Sequence, residues 1–322
     1  MSEQMMRDEA TPVHKIADDV ESLERAIREG RFQRWLSLIA GVSSVLSGLE
    51  VGYEHYRASY SQRIMYTPVI LSGALFVAGV AGFLSRRAAK TVLPAVSIIT
   101  LVDAGIGFYM HVRGVQRKPG GWRLPVTNIV MGPPLFAPLL FGTAAYMGLV
   151  ASRLERSTRG SGGLLPRAAS ATHFARRLGI SHEQIGTRQD DRERHLQSHM
   201  ALATALSAGL SGLEASYSHY KNNFRYGVQW TPLIVASVLT VTALFGMRSR
   251  KTAHGALPAA SLLAIVNGTA GFAYHARGVL RRPGGTSMPF YNIVYGPPIF
   301  APLLFAASGF LGLLASLLRN DS

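Results

Sequence analysis

The chain contains an internal repeat at a constant spacing of 164 residues, which limits the folds open to it. Residues 111–141 read HVRGVQRKPGGWRLPVTNIVMGPPLFAPLLF, and residues 275–305 read HARGVLRRPGGTSMPFYNIVYGPPIFAPLLF. Within these segments, Asn128–Phe141 and Asn292–Phe305 share 12 of 14 residues without a gap. A duplicated sequence indicates a duplicated structural unit, so we expect two copies of one fold.

Each copy contains four apolar runs that are long enough to cross the ~30 Å hydrocarbon core of a bilayer. The chain is 48% hydrophobic and only 16% charged, a mixture typical of membrane proteins. The sequence therefore predicts an all-α integral membrane protein of eight transmembrane helices in two gapless tandem four-helix repeats. The runs lie near 35–55, 66–84, 92–112 and 128–152, and again near 199–219, 230–248, 256–276 and 292–317.

Polar stretches divide the chain around these runs. The first run has no convincing cleavage site for a signal peptide, so we expect it to be retained as an anchor. Between the copies lies an Arg-, Ser- and Gly-rich stretch that is typical of a linker. The predicted organisation is a soluble amphipathic segment (1–34), the first repeat (35–153), the linker (154–198), the second repeat (199–318) and a short tail (319–322).

An even number of spans per copy brings both copies into the membrane in the same direction, so the repeats are expected to be parallel. Of the 33 Lys and Arg residues, 22 fall on the side of the N-terminus and 11 on the other. The positive-inside rule then places both termini in the cytoplasm, although the short loops alone, six against eleven, favour the reverse. Because the net charge of +15 resides in loops and polar segments, we expect the bilayer, not nucleic acid, as the partner.

Four of the ten histidines obey the repeat: His55 pairs with His219, and His111 with His275. In each copy, one histidine lies about twenty residues into the first predicted helix and the other about twenty into the third. These helices run in the same direction, so both imidazoles reach one depth, as the two axial ligands of a b-type haem must. The chain has no cysteine, which excludes disulfides, Cys-ligated clusters and covalently attached haem.

Small residues lie on the same helical face as each of these histidines. Positions i−4, i−7 and i−14 lie near the face of residue i, and each of the four histidines has glycine or alanine at two or more of them. Such stripes leave a slot for a flat macrocycle, although they also allow close helix packing without a cofactor. The positions are Gly48 and Gly41 for His55, Gly107 and Ala104 for His111, Gly212 and Ala205 for His219, and Gly271 and Gly268 for His275.

This pattern resembles transmembrane cytochromes b in its general arrangement of histidines and glycines on a four-helix bundle. The resemblance implies one bis-His haem b per half and a role as an electron-transfer subunit. Quinone and a redox partner subunit would then be the expected partners. Arg113 and Arg277, one turn from the basic Pro-Gly-Gly loops, are candidates for neutralising the haem propionates.

Three carboxylates fall inside the predicted spans: Glu50, Glu214 and Asp103, the last replaced by Asn267 in the second copy. A carboxylate inside a bilayer is costly and suggests a function, here proton relay or a bond to a quinone oxygen. The alternative is a protonated acid that links helices by hydrogen bonds. A di-iron site is excluded because no span has the Glu-x-x-His spacing.

The fourth predicted helix of each copy opens with a Gly-Pro-Pro motif. Adjacent prolines remove two backbone donors, so we expect this helix to start bent or unwound. The freed backbone could hold the substrate of a transporter, or simply fit the bundle together. The residues are Gly132, Pro133 and Pro134 in the first copy and Gly296, Pro297 and Pro298 in the second, with Pro138 and Pro302 four residues after the last of them.

Three functions are therefore open: a cytochrome-b-like electron-transfer subunit, a cofactor-free membrane scaffold or assembly protein, and a parallel-repeat transporter that uses the helix breaks and buried glutamates. Motifs of soluble catalysis such as Gly-x-Ser-x-Gly and His-Glu-x-x-His are missing from the sequence, so a stand-alone enzyme is not expected. Electron transfer is preferred because it alone explains why histidines occur twice in pairs at equal depth.

Overall fold

The computed structural model describes residues 32–154 and 182–317, and every regular element in these two ranges is helical. We call the two ranges the first half and the second half. The helices of the first half are α1 (Phe32–Arg57), α2 (Thr67–Leu84), α3 (Arg86–Lys90), α4 (Val92–Gln116), α5 (Pro125–Val130) and α6 (Ala137–Arg153). Those of the second are α7 (His182–Lys221), α8 (Thr231–Gly246), α9 (Leu257–Leu280), α10 (Pro289–Val294) and α11 (Ala301–Leu317).

Several predicted segments fall outside this description. The amphipathic segment 1–34 lies almost wholly outside it, as do the tail 319–322 and the first part of the linker 154–198. The last part of the linker is helical, because α7 begins at His182 and continues without interruption into the second half.

The four long helices of the first half form a closed ring. In this ring α1 packs on α2, α2 on α4, α4 on α6, and α6 on α1. The second half repeats the arrangement with α7, α8, α9 and α11 in the same order. The first and third long helices of each half are therefore diagonal partners. The halves meet where α1 contacts α10 and α11, and where α7 contacts α5 and α6.

The interior of both rings combines many alanine and serine residues with some leucine, methionine and phenylalanine, whereas many other large apolar side chains are exposed. Ala40, Ala145 and Ala201 are fully buried, while Ile70 and Val266 are 67% and 65% exposed. Such a surface favours a lipid environment, and small interior residues are typical of closely packed membrane helices. Five helical stretches are long and apolar enough to cross a membrane: Gln33–Arg57, Arg63–Leu84, Arg86–Gln116, Gly227–Gly246 and Thr252–Leu280.

These five stretches confirm the helical class and are compatible with a multi-pass integral membrane protein. The fourth long helix of each half is shorter, because α6 and α11 contain 17 residues each. At 1.5 Å per residue, each of these helices is about 25 Å long. The apolar runs predicted at 128–152 and 292–317 are thus not continuous helices.

The interruption of each run coincides with its Gly-Pro-Pro motif. Helix α5 ends at Val130 and α6 begins at Ala137, and the corresponding gap in the second half separates α10 from α11. Prolines supply no backbone donor, and a Cβ at Gly132 or Gly296 would collide with the carbonyl oxygen four residues earlier. We call residues 131–136 and 295–300 the unwound segments.

Candidate functional site

The unwound segments are bound by the repeated histidines of the third long helices. His111 Nδ1 lies 2.6 Å from the carbonyl oxygen of Pro134, and His275 Nδ1 lies 2.6 Å from that of Pro298. A carbonyl only accepts, so in both cases Nδ1 carries the proton and donates it. Nε2 of a neutral imidazole then keeps its lone pair, which is the form that ligates a metal.

The histidines of the first long helices lie beside these rings. In the second half, the ring centroids of His219 and His275 are 6.5 Å apart and the rings are nearly perpendicular, at 83°. In the first half, His55 interacts electrostatically with His111, and its Nδ1 lies 2.7 Å from the carbonyl oxygen of Met65. The rings of the second pair are thus in contact, and the histidines of the first pair are close enough to interact electrostatically, each pair across the diagonal of its own ring.

The spacing of the second pair can be compared with that of a bis-His iron site. Two Fe–N bonds of about 2 Å each separate the ligating nitrogens by about 4 Å, which puts the ring centroids about 6 Å apart. The observed 6.5 Å between His219 and His275 is close to this value. Ligating histidines also commonly donate their other N–H to a backbone carbonyl, as His275 does to Pro298.

The predicted slot between the glycine stripes is wrong. The stripes of the first long helices face the second helices: a Cβ at Gly48 would overlap Ser72, and one at Gly212 would lie 2.7 Å from Ala236. Gly41 likewise faces the backbone of Phe76.

The stripes of the third long helices face the fourth. A Cβ at Gly107 would lie 3.1 Å from Pro138, and one at Gly271 would lie 3.0 Å from Pro302. The slot is filled because of the order of helices in the ring. The first and third long helices are diagonal, and their small faces are used instead for close packing against adjacent helices.

The glutamates join the two halves. Glu214 Oε2 accepts a hydrogen bond from the backbone N–H of Phe136 at 3.1 Å, and Glu50 Oε2 accepts one from Phe300 at 2.9 Å. Each acceptor belongs to one half and each donor to the other. The donors occupy the residues just before α6 and α11, where helix N-termini leave N–H groups unpaired and favour negative charge.

Asp103 and its counterpart Asn267 bind the start of the second helix of their half. The Thr67 hydroxyl lies 2.6 Å from Asp103 Oδ1, and Asn267 Nδ2 donates to Thr231 Oγ1 at 2.8 Å. Asp103 also interacts electrostatically with His55. The carboxylate and the amide therefore occupy equivalent places with different charge.

Two pairs of repeated residues have roles that sequence reasoning did not assign. The Asn128 and Asn292 side chains each donate to two carbonyls of the basic Pro-Gly-Gly turn and fix its conformation. The Tyr217 hydroxyl accepts from the backbone N–H of Leu135 at 3.1 Å. Their identity across the repeat, with Tyr53 matching Tyr217, was the available signal.

The remaining predicted residues lie at the surface. Arg113 and Arg277 are exposed in the last turns of α4 and α9, where a positive charge complements the helix dipole. Each stands two residues after a histidine of the pairs, at the same end of the bundle. Comparisons of the chain with known protein families, with curated proteins and with solved structures found no match.

Proposed function

We propose that the chain is an eight-span membrane protein made of two parallel four-helix repeats, with both termini in the cytoplasm. Three facts support the two repeats and their spans: the constant spacing of 164 residues, the same ring order of helices in both halves, and the exposed apolar side chains. The orientation is supported by the distribution of Lys and Arg, 22 against 11. In this arrangement α6 and α11 complete the fourth crossing of each half together with the unwound segments and the short helices before them.

An aromatic belt supports the position of the bilayer surface. Exposed Tyr and Trp side chains are enriched where membrane proteins meet the headgroups. In this protein they gather at the end of the bundle that carries the histidine pairs and the basic turns. They include Tyr66, Trp122, Tyr226, Trp230, Tyr291 and Tyr295. The histidine pairs would then lie just below the headgroups on the side opposite the termini.

Within this membrane protein, each half is proposed to bind one b-type haem between the histidines of its first and third long helices, for electron transfer. The observation that carries this proposal is the 6.5 Å separation of the His219 and His275 rings, with His275 Nδ1 anchored on Pro298. His55 and His111 would form the equivalent pair. Because the glycines pack against neighbouring helices, a haem would be held by residues at the histidine end of the bundle and not along the glycine stripes.

The residues around each pair have defined tasks in this proposal. Pro134 and Pro298 carbonyls orient the imidazoles and raise their basicity, while Arg113 and Arg277 attract the propionates. Bound haem supplies one-electron chemistry. Quinone is the proposed redox partner: the two halves would accept the two electrons of one quinol, and its two protons would pass to water at the membrane surface beside the histidine pairs. The glutamates are assigned a structural role, because each accepts a backbone N–H group of the other half.

The test is the reduced-minus-oxidised visible spectrum of the protein purified from haem-replete cells. His111→Ala is expected to remove one of two haems per chain and His275→Ala the other, so each variant keeps about half of the absorbance. His199→Ala is the matched control, because this exposed histidine of α7 has no counterpart in the repeat. Equal loss in the control, or a colourless wild-type protein, contradicts the proposal.

The cofactor-free scaffold is the second candidate, and the glycine contacts favour it. All four glycines expected to line the slots pack against neighbouring helices, and each Nδ1 hydrogen bond also serves the fold alone. In that case the wild-type protein is colourless, and His111→Ala lowers only the unfolding temperature.

A parallel-repeat transporter is not proposed. In transporters with broken helices, the N-termini of half-helices hold anionic substrate groups. Here the protein's own Glu50 and Glu214 carboxylates occupy that position at α11 and α6.

A further inference from the structure

We propose that the histidine of the first half is positioned by residues of the second half, through a single peptide group. The residues concerned are Tyr217 and Glu214 on α7, and the histidine is His111 on α4. This inference deepens the proposed function, since His111 is one of its ligands, but the hydrogen-bond relay itself exists with or without haem.

The relay runs through the peptide bond between Pro134 and Leu135. The carbonyl oxygen of this peptide accepts from His111 Nδ1 at 2.6 Å, and its N–H donates to the Tyr217 hydroxyl at 3.1 Å. The Tyr217 hydroxyl in turn interacts with the Glu214 carboxylate. The Phe136 N–H, one residue further, donates to the same carboxylate at 3.1 Å.

A peptide group that donates through its N–H becomes a stronger acceptor at its carbonyl, because hydrogen bonds in a chain polarise one another. The pull of Tyr217 on the Leu135 N–H therefore strengthens the bond from His111 Nδ1 to Pro134. A stronger bond at Nδ1 raises the basicity of Nε2, the nitrogen proposed to bind iron. Tyr217 and Glu214 are thus positioning residues for a ligand in the other half.

The second half shows the reciprocal link in a shorter form. Glu50 of α1 accepts from the Phe300 N–H, two residues after the Pro298 carbonyl that binds His275. The Tyr53 hydroxyl, the counterpart of Tyr217, interacts with Glu50 and with the backbone of Ile299, but without a hydrogen bond of the same good geometry among the described residues. The relay is drawn for the first half, where the Leu135 N–H donates to the Tyr217 hydroxyl with good geometry.

The position of Tyr217 makes this inference sharply testable. Tyr217 is two residues from His219 in sequence, so a purely local role predicts that its loss perturbs the His219–His275 pair. The relay predicts the opposite, a change at His111 in the other half. Tyr220→Phe is the matched control, because Tyr220 lies on the same helix and is exposed.

The first measurement is the ¹⁵N NMR signal of Nδ1 in protein labelled at histidine, with the His111 signal assigned by its loss in His111→Ala. Tyr217→Phe is expected to shift the His111 signal and to leave that of His275 in place, whereas Tyr220→Phe shifts neither. A shift confined to His219 and His275, or no shift at all, overturns the relay. This readout needs no haem, so it separates the relay from the proposed function.

The second measurement uses His275→Ala, in which only the first-half haem is expected to remain. Adding Tyr217→Phe or Glu214→Gln should weaken haem retention about tenfold, the usual effect of removing the partner of a ligating histidine. Adding Glu50→Gln should not. If Tyr217→Phe fails to fold, Glu214→Gln carries the test, because its amide oxygen still accepts a hydrogen bond. Equal weakening by Glu50→Gln overturns the inference, and a colourless parent overturns only the proposed function.

Discussion

At the scale of single residues, Asp103 and Asn267 show how a carboxyl group and an amide can make the same contact with a threonine hydroxyl. The Thr67 hydroxyl donates to Asp103, whereas Asn267 donates to Thr231. Both side chains reach the threonine that opens the second helix of their half. Thr67 Oγ1 also lies 2.9 Å from the carbonyl oxygen of Ile64, and Thr231 makes the matching bond to Val228 at 2.8 Å. Because the second half has an amide at this position, comparing the two halves tests whether the fold needs a carboxylate there.

Asp103→Asn is expected to leave stability within about 0.5 kcal/mol of the wild type, because the second half holds an amide in the same place. Asp103→Leu removes the partner of the Thr67 hydroxyl and is expected to cost about 1 kcal/mol. Thermal unfolding in detergent measures both, with Asn267→Asp as the reciprocal variant. Equal destabilisation by Asn and Leu at position 103 would show that the charge itself is required.

At the scale of helices, α1 and α2 cross at a contact between glycines. A Cβ at Gly79 would lie 2.9 Å from Gly41 Cα and 2.5 Å from the carbonyl oxygen of Ser37. The second half has alanine at both corresponding positions, Ala205 and Ala243, and both are buried. The first two long helices of each half therefore cross closely at small residues, which are glycines in the first half and alanines in the second.

Gly79→Ala is expected to destabilise the protein by about 1–3 kcal/mol, because the new methyl group meets backbone atoms that cannot move aside cheaply. Gly73→Ala is the matched control on the same helix, since a Cβ there meets no atom within 4 Å. Alanine also has the higher helix propensity, so the control is expected to be neutral or slightly stabilising. The unfolding temperatures of the two variants measure the difference, and equal changes in both would contradict the close crossing of α1 and α2.

At the scale of the whole molecule, the glutamates make the two halves interdependent. Glu50 caps a helix start of the second half and Glu214 one of the first, so neither half has all its backbone donors paired without the other. An unpaired N–H is costly in a low-dielectric interior. This reciprocity gives a physical reason for keeping both copies in one chain.

The number of membrane crossings in each half sets the side on which each loop and terminus lies. Because each half is proposed to cross the membrane four times, Ser161→Cys and Ser322→Cys are expected to be labelled from the same side of sealed vesicles. The chain has no native cysteine, so each label is unique. Ser61→Cys, in the exposed turn after α1, is the control and should be labelled from the opposite side. Labels on Ser161 and Ser322 from different sides would contradict the even number of spans.

Local physics explains what could be predicted from the sequence. The apolar length of the runs set α1, α2 and α4 close to their observed bounds, and the proline pairs indicated where the fourth helices are interrupted. Equal distances along the first and third helices of each half paired His55 with His111 and His219 with His275, and this inference needs no knowledge of packing. These inferences depend only on neighbours in the chain.

The amino-acid sequence sufficed to predict the helical class, the apolar helices, the repeated sequence and the position of each histidine along its helix. Which helix faces meet is set by the packing of the helices and could not be predicted from the sequence. In the ring, Gly48 packs against α2 and Gly107 packs against α6, so the slot predicted from the small-residue stripes is filled. It also placed Glu214 and Tyr217 on the unwound segment of the other half, some 80 residues away in sequence. Helical periodicity specifies a face but not its neighbour, and that choice is made by the packing of all the helices together.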